Sequence, residues 1–320
     1  MNDPALEPFR HLDPRKFRDP NVTADGARRA SVAIQALDTL WFNTGTLCNL
    51  TCRNCYIESS PRNDRLVYLT ADEVATYLDE IGREQLATKE IGFTGGEPFM
   101  NPHIIAMVED CLRRGFRTLV LTNAMRPMKK LEAPLLDLRE RYGDRLLIRV
   151  SVDYYSRTLH ETERGERTWQ PMLYGLKWLA DNGFNLHAAG RTCWGEAEAD
   201  LRKGYARLFA AHDIRIDAFD PVQLVLFPEM DARADVPEIT EKCWDILGID
   251  PASIMCASSR MVVKRKDADR PVVVSCTLLP YDPQFELGHT LVEAHKTVKL
   301  NHPHCAAFCV LGGATCSAQT

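Results

Sequence analysis

The chain has 320 residues, of which 45% are hydrophobic and 26% charged, with a formal net charge of −5. That balance is ordinary for a globular protein and gives no footing for nucleic-acid binding through phosphate neutralisation. No apolar run approaches the roughly 20 residues a membrane helix needs and the N-terminus lacks a secretory pattern, so the expected location is cytoplasmic.

Residues 1–36, rich in Pro, Asp and Arg, read as an extension that wraps the surface, with a short helix expected around Ala24–Ala36. From there the pattern is strand, loop, helix, repeated. The first strand is Thr39-Leu40-Trp41-Phe42-Asn43. A helix follows, with Thr70 and Glu73 as a capping box and Val74, Tyr77, Leu78 and Ile81 at helical spacing. The second strand, Glu90–Phe93, runs into Thr94-Gly95-Gly96-Glu97-Pro98, and its helix places Ile104, Val108, Cys111 and Leu112 on one face. The third strand, Thr118–Leu121, ends in Thr122-Asn123, and Pro134 should break or start the helix after it. The fourth, Leu146–Val152, ends in Asp153; a helix over Trp169–Asn182 stops at Gly183. The fifth, Asn185–Ala189, leads to Gly190-Arg191, and Ile214-Arg215-Ile216-Asp217-Ala218 reads as the sixth.

Short apolar strands alternating with helices predict parallel β/α units, and six of them predict a partial (β/α)6 TIM-like barrel. The strand ends then gather the polar motifs on one rim. The remainder reads as a small C-terminal cysteine-rich α+β extension: a hairpin of Arg260–Lys264 and Pro271–Ser275, then a loop-like tail. The organisation is residues 1–36 extension, 37–235 barrel and 236–320 extension domain. So small a region lacks a core of its own, and a metal would supply folding energy.

Eleven cysteines, an odd number with no secretory signal, argue for metal rather than disulfides. Cys48, Cys52 and Cys55 lie within eight residues; Cys256, Cys276, Cys305, Cys309 and Cys316 lie in the last quarter. Three thiolates can hold three irons of a 4Fe–4S cube and leave the fourth iron open to a small molecule. A structural zinc site completed by a distant ligand is the plain alternative. Of the scattered thiols, Cys111 and Cys243 read as core residues, and Cys193 stands near the rim. His302 and His304, beside Cys305, read as surface residues rather than ligands.

The spacing Cys48-x3-Cys52-x2-Cys55, followed by Gly95-Gly96-Glu97-Pro98 at the end of the second strand, resembles the signature of radical S-adenosylmethionine (SAM) enzymes. The resemblance covers residues 38–220. It implies a SAM-binding 4Fe–4S cluster on the three cysteines and the methionyl amino group of SAM at Gly95, Gly96 and Glu97. Thr122, Asn123, Ser151 and Asp153 would contact the ribose or methionyl portion, Arg191 the carboxylate, and Tyr56 would pack near the adenine. One departure is Asn54, where the family often has an aromatic residue before the third cysteine. The segment His160–Gly165 and the late cysteines are similar to members with a SPASM or shorter "twitch" extension carrying auxiliary 4Fe–4S clusters. Cys305-x3-Cys309-x6-Cys316 is not the usual tail spacing, and five thiols suit one auxiliary cluster with one spare, or else zinc.

The resemblance implies reductive cleavage of SAM to a 5′-deoxyadenosyl radical, hydrogen abstraction from substrate, and a flavodoxin or ferredoxin-type reductant, without nucleic-acid or membrane partners. The expected enzyme is a radical SAM oxidoreductase. The N-terminal extension is too short for a leader-binding domain, which favours a small-molecule substrate or a peptide delivered by another protein; the expected reaction is on a small molecule, a net oxidation or bond-forming step assisted by the auxiliary cluster. The alternatives are a maturase of ribosomally made peptides or protein side chains and, in another class, a non-catalytic metal-stabilised binding or electron-transfer protein.

Overall fold

The computed structural model describes residues 11–313. In chain order the first elements are β1 (Ser31–Val32), β2 (Thr39–Asn43), α1 (Ala71–Arg83), β3 (Glu90–Thr94), α2 (Ile104–Arg113), β4 (Arg117–Thr122), α3 (Arg126–Lys129) and α4 (Glu132–Tyr142). Then come β5 (Leu146–Asp153), α5 (Arg157–Arg164), α6 (Trp169–Asp181), β6 (Asn185–Arg191), α7 (Glu198–Ala211) and β7 (Leu224–Phe227). The C-terminal part adds α8 (Cys243–Leu247), β8 (Ser259–Val263), β9 (Val272–Val274), β10 (Glu286–Gly288), β11 (Val298–Lys299) and a π-helical turn over Cys305–Val310.

Strands β2 to β7 are parallel neighbours in sequence order, the six-unit partial barrel. It does not close, because β7 is the free edge of a nine-stranded sheet. At the other edge β8 pairs parallel with β2, and β9 and β10 follow antiparallel. The late hairpin therefore extends the barrel's own sheet. One contiguous apolar core runs from Ala30 to Val310, so the C-terminal region shares the barrel's core instead of depending on a metal for one.

Local chemistry accounts for the elements. The capping box at α1 is complete, with Thr70 Oγ1 accepting from Glu73 N and the Glu73 carboxylate accepting from Thr70 N. Its apolar face, Val74, Tyr77, Leu78 and Ile81, is buried. Pro134 sits in the first turn of α4, where its missing N–H would have had no helical partner, so it starts the helix. Gly92 on β3 lies against Trp41; a Cβ there would come within 2.4 Å of the indole, so the missing side chain gives the ring its place.

Two expectations are corrected. Residues 214–218 form no strand; the sixth strand is Leu224–Phe227, although Ile214, Ile216 and Ala218 are buried alternately as a strand's would be. The expected helix near Ala24–Ala36 is absent. The segment instead straps onto the C-terminal part: β1 pairs with β11, and fully buried Arg29 bonds Glu238 at 2.5 Å.

Candidate active site and a second cysteine cluster

The C-terminal strand ends of the barrel surround a cavity of about 170 Å³. Cys48, Cys52 and Cys55 line it, on the loop after β2. So do Tyr56, Gly95, Gly96, Thr122, Asn123, Ser151, Asp153 and Arg191. Of the expected cofactor residues only Glu97 is not in the lining. It lies beneath, 2% exposed, accepting from Thr122 Oγ1 (2.8 Å), Asn123 N (2.8 Å) and Phe99 N (3.2 Å). Burial pushes its carboxyl up to about 7 against those bonds. Glu97 thus joins the ends of β3 and β4, and the cavity meets the motif's glycines.

The glycines are needed for another contact. A Cβ on Gly96 would stand 2.1 Å from the Leu47 carbonyl oxygen, and one on Gly95 2.5 Å from that of Gly45. The close approach lets Gly96 N donate to Gly45 O (2.7 Å) and Glu97 N to Leu47 O (3.1 Å), which fixes the root of the cysteine loop. Asn123 reaches the same loop, donating from Nδ2 to Asn49 Oδ1 at 2.9 Å.

Two residues that the sequence reading did not single out complete the rim. Glu163, in α5, accepts from Asn54 N (3.0 Å), Asn54 Nδ2 (2.9 Å) and Arg191 Nη1 (2.7 Å). Arg191 also donates to Asn54 O at 3.1 Å, so the departure at Asn54 is the loop's anchor. Arg164 grips Asp153 through Nε–Oδ2 (2.6 Å) and Nη2–Oδ1 (3.3 Å), and its charge acts on Cys52. Both acids on the lining are therefore paired with an arginine beside them. The lining also includes the apolar residues Phe227, Pro228, Met230, Leu278 and Phe308, with the rings of Phe227 and Phe308 stacked at 5.7 Å.

The donor set fits an iron–sulfur cluster. Leu50 N and Ser59 N each donate to a cysteine sulfur, Cys48 and Cys55, at 3.4 Å, the bonding a metal-bound thiolate accepts. Burial pushes the free thiols of Cys48 and Cys52 up to about 12 and 11, so a metal would displace their protons. Among the described residues no three His, Cys, Asp or Glu groups converge tightly enough for a single ion.

Cys256, Cys276, Cys305 and Cys309 line a second, smaller cavity of about 20 Å³. They come from the turn before β8, the end of the hairpin and the π-helical turn. Leu278 borders both cavities, and Phe308, between Cys305 and Cys309, faces the first. Cys316 lies outside the described residues. His304 lines the second cavity and is buried, His302 is half-buried against it, and their rings stand 4.6 Å apart, which corrects the expectation of surface histidines. Burial pushes His302 down to about 4. Cys111 is core, whereas Cys243 is only half-buried at the start of α8; Cys193 is half-buried and outside the cavity lining.

Residues 42–193 match the radical SAM superfamily. A curated relative, the antilisterial bacteriocin subtilosin biosynthesis protein AlbA of Bacillus subtilis (strain 168), is 25% identical over 169 residues, 52% of this chain and 35% of AlbA. The chain thus spans about a third of that relative's length. Among solved structures, Streptococcus suis SuiB bound to precursor peptide SuiA aligns with a TM-score of 0.58 at 10% identity, over 82% of this chain and 66% of SuiB. A histidine-tagged anSMEcpe with bound AdoMet aligns at 0.59 and 15% identity, over 82% and 80%. These structural likenesses show the fold. Among the described residues no helix is long and apolar enough to cross a membrane.

Proposed function

Taking as premise that the chain is a radical SAM enzyme, its domain spanning residues 42–193, we propose that it is a maturase acting on a ribosomally made peptide. The wall of the cavity carries this reading. Asp153 and Glu163 are matched by Arg164 and Arg191, and the lining carries the apolar residues Phe227, Pro228, Met230, Leu278 and Phe308. Such a wall suits an uncharged side chain better than a phosphate or a sugar, whose polar groups would lose water without partners. The relative named for bacteriocin biosynthesis, similar over half of this chain, supports the same reading against a small-molecule substrate.

In this reading Cys48, Cys52 and Cys55 hold a 4Fe–4S cluster, and Tyr56, Gly95, Gly96, Thr122, Asn123, Ser151, Asp153 and Arg191 face the SAM bound to it. The bound pair supplies one-electron reductive chemistry that yields a radical able to break an unactivated C–H bond. The chain's own work is positional. Glu163 and Arg191 hold the cysteine loop through Asn54, Glu97 holds the β3 and β4 ends together, and the apolar wall excludes water around the reacting carbon. Arg191 keeps a buried Nε–H without a protein partner, a donor available to a carboxylate. Cys256, Cys276, Cys305 and Cys309 hold an auxiliary cluster, with Leu278 and Phe308 between it and the substrate. A flavodoxin or ferredoxin-type protein supplies the electron.

The test is anaerobic reconstitution with iron and sulfide, then dithionite, SAM and the short peptides encoded beside the gene. The expected result is 5′-deoxyadenosine together with a peptide mass change. A loaded protein that forms 5′-deoxyadenosine but alters no peptide, while consuming a component of a small-metabolite extract, overturns the peptide reading.

A further inference from the structure

Arg260, in β8, is 1% exposed, and its guanidinium is spent on main-chain carbonyls. Nε donates to Ala294 O (3.1 Å), Nη1 to Cys256 O (2.6 Å) and Ser259 O (2.7 Å), and Nη2 to Lys296 O (2.9 Å). These bonds engage four of its five N–H donors with neutral carbonyls and leave the charge uncompensated. Two of the other buried arginines differ: Arg29 and Arg202 each bond a carboxylate, of Glu238 and Glu198, as do the half-buried Arg164 and Arg191 with Asp153 and Glu163. Among the described residues no carboxylate forms an ion pair with Arg260. The Nη1 bond to Cys256 O places the guanidinium against a residue of the second cysteine group, and thiolates at Cys256 and Cys276 would act on its charge favourably. A cation so deeply buried is costly without a counter-charge.

We propose that Arg260 is the counter-charge of the second centre, offsetting the net negative charge of an iron–sulfur cluster held by Cys256, Cys276, Cys305 and Cys309 and raising its reduction potential. The assignment rests on the ligand set proposed above. Reduction adds one electron and makes the thiolate-bound cluster more negative, so a fixed cation within the same dry region stabilises the reduced form more than the oxidised one. Arginine suits the place because its planar fork reaches carbonyls from the turn before β8, from β8 itself and from residues 294–296 at once, which fixes the charge beside the thiols.

A redox titration followed by electron paramagnetic resonance tests this in the full chain carrying Cys48→Ala, Cys52→Ala and Cys55→Ala, so that only the second centre contributes. Adding Arg260→Gln keeps an amide donor and removes the charge; Arg260→Lys keeps the charge with fewer donors. At the midpoint potential of the parent, Arg260→Gln should lower the ratio of reduced to oxidised cluster about tenfold, about 59 mV for a one-electron couple. Arg260→Lys should stay within about twofold of the parent by the same charge argument. An iron-loaded Arg260→Gln that titrates with the parent, or glutamine and lysine variants shifted equally, overturns the assignment alone. A parent that retains no iron overturns the ligand set and the assignment with it. Should Arg260→Gln fail to hold iron, Arg260→Lys decides: iron retained at the parent's potential supports the counter-charge, and iron lost there too reduces Arg260 to a scaffold.

Discussion

Two groups of thiols, one at each end of the chain, meet across Leu278 and Phe308, yet they are built in opposite ways. Cys48, Cys52 and Cys55 sit on one short loop, half-exposed at two of the three positions, and open into a cavity of about 170 Å³ with two arginine–carboxylate pairs. Cys256, Cys276, Cys305 and Cys309 come from three separate segments around about 20 Å³ of space, walled mostly by Ile254, Leu279, Phe285, Val298 and Leu300. The larger cavity has a mostly apolar lining, and the two carboxylates on it have their charges cancelled by neighbouring arginines. A site that admits only its own cofactor can be dry, and Arg260 is the counter-charge proposed for it.

The largest test of that division replaces Cys48, Cys52 and Cys55 by alanine together. Formation of 5′-deoxyadenosine should fall to background while the protein retains about four irons, one cluster's worth. Iron analysis of the anaerobically reconstituted variant, alongside a product assay, reads both. An iron-free variant would merge the two regions into one centre and break the comparison.

Second in size is Glu163→Ala, which bears on the open site alone. Glu163 is 2% exposed and bonds Arg191 and Asn54, so its loss strands a buried guanidinium and releases the residue between Cys52 and Cys55. Breaking a buried pair in this way typically costs about 3–5 kcal/mol. Melting of the cluster-free protein should register that loss, and reconstitution should lower iron at the first site while leaving the second filled. A melting temperature equal to the parent's would show that solvent reaches the pair.

Glu163 also marks where the sequence stops being legible. Strands β2 to β6 follow from short apolar runs between turn residues, and the cysteine spacing with Gly-Gly-Glu-Pro announces the rim. Glu163 lies in the segment His160–Gly165 that the resemblance picks out, yet its role is not marked there: its partners Arg191 and Asn54 lie 28 and 109 residues away, and only the barrel's curvature joins them. The sixth strand is misplaced from sequence because Ile214-Arg215-Ile216 alternates like a strand and buries its apolar residues, while the ladder with β6 is made by Leu224–Phe227. His302 and His304 read as surface because a loop-like tail hides the π-helical turn that folds them inward. The four late thiols are legible as a group, but their convergence depends on β8 joining β2, a pairing between segments some 200 residues apart that no local pattern signals.

The two smallest effects come from one substitution made at two glycines, and they should differ in sign. Gly96→Ala puts a methyl 2.1 Å from the Leu47 carbonyl oxygen, a backbone atom that cannot rotate away, so the cysteine loop must shift. Overpacking of this kind costs about 1–3 kcal/mol, and it should reduce iron at the first site only. Gly82→Ala lies in α1, where an added Cβ has nothing within 4 Å. There alanine restricts the unfolded chain and favours the helix, a gain of about 0.5–1 kcal/mol. Helix α1 also touches the C-terminal part, with Tyr77 Oη donating to His289 O (2.9 Å) and the Glu80 carboxylate accepting from Leu291 N (2.9 Å) and Val292 N (3.2 Å). A firmer α1 should therefore raise the melting temperature of the whole chain without moving iron content at either site. If Gly82→Ala instead alters iron at the second site alone, the late segments answer to α1 more than to the shared sheet.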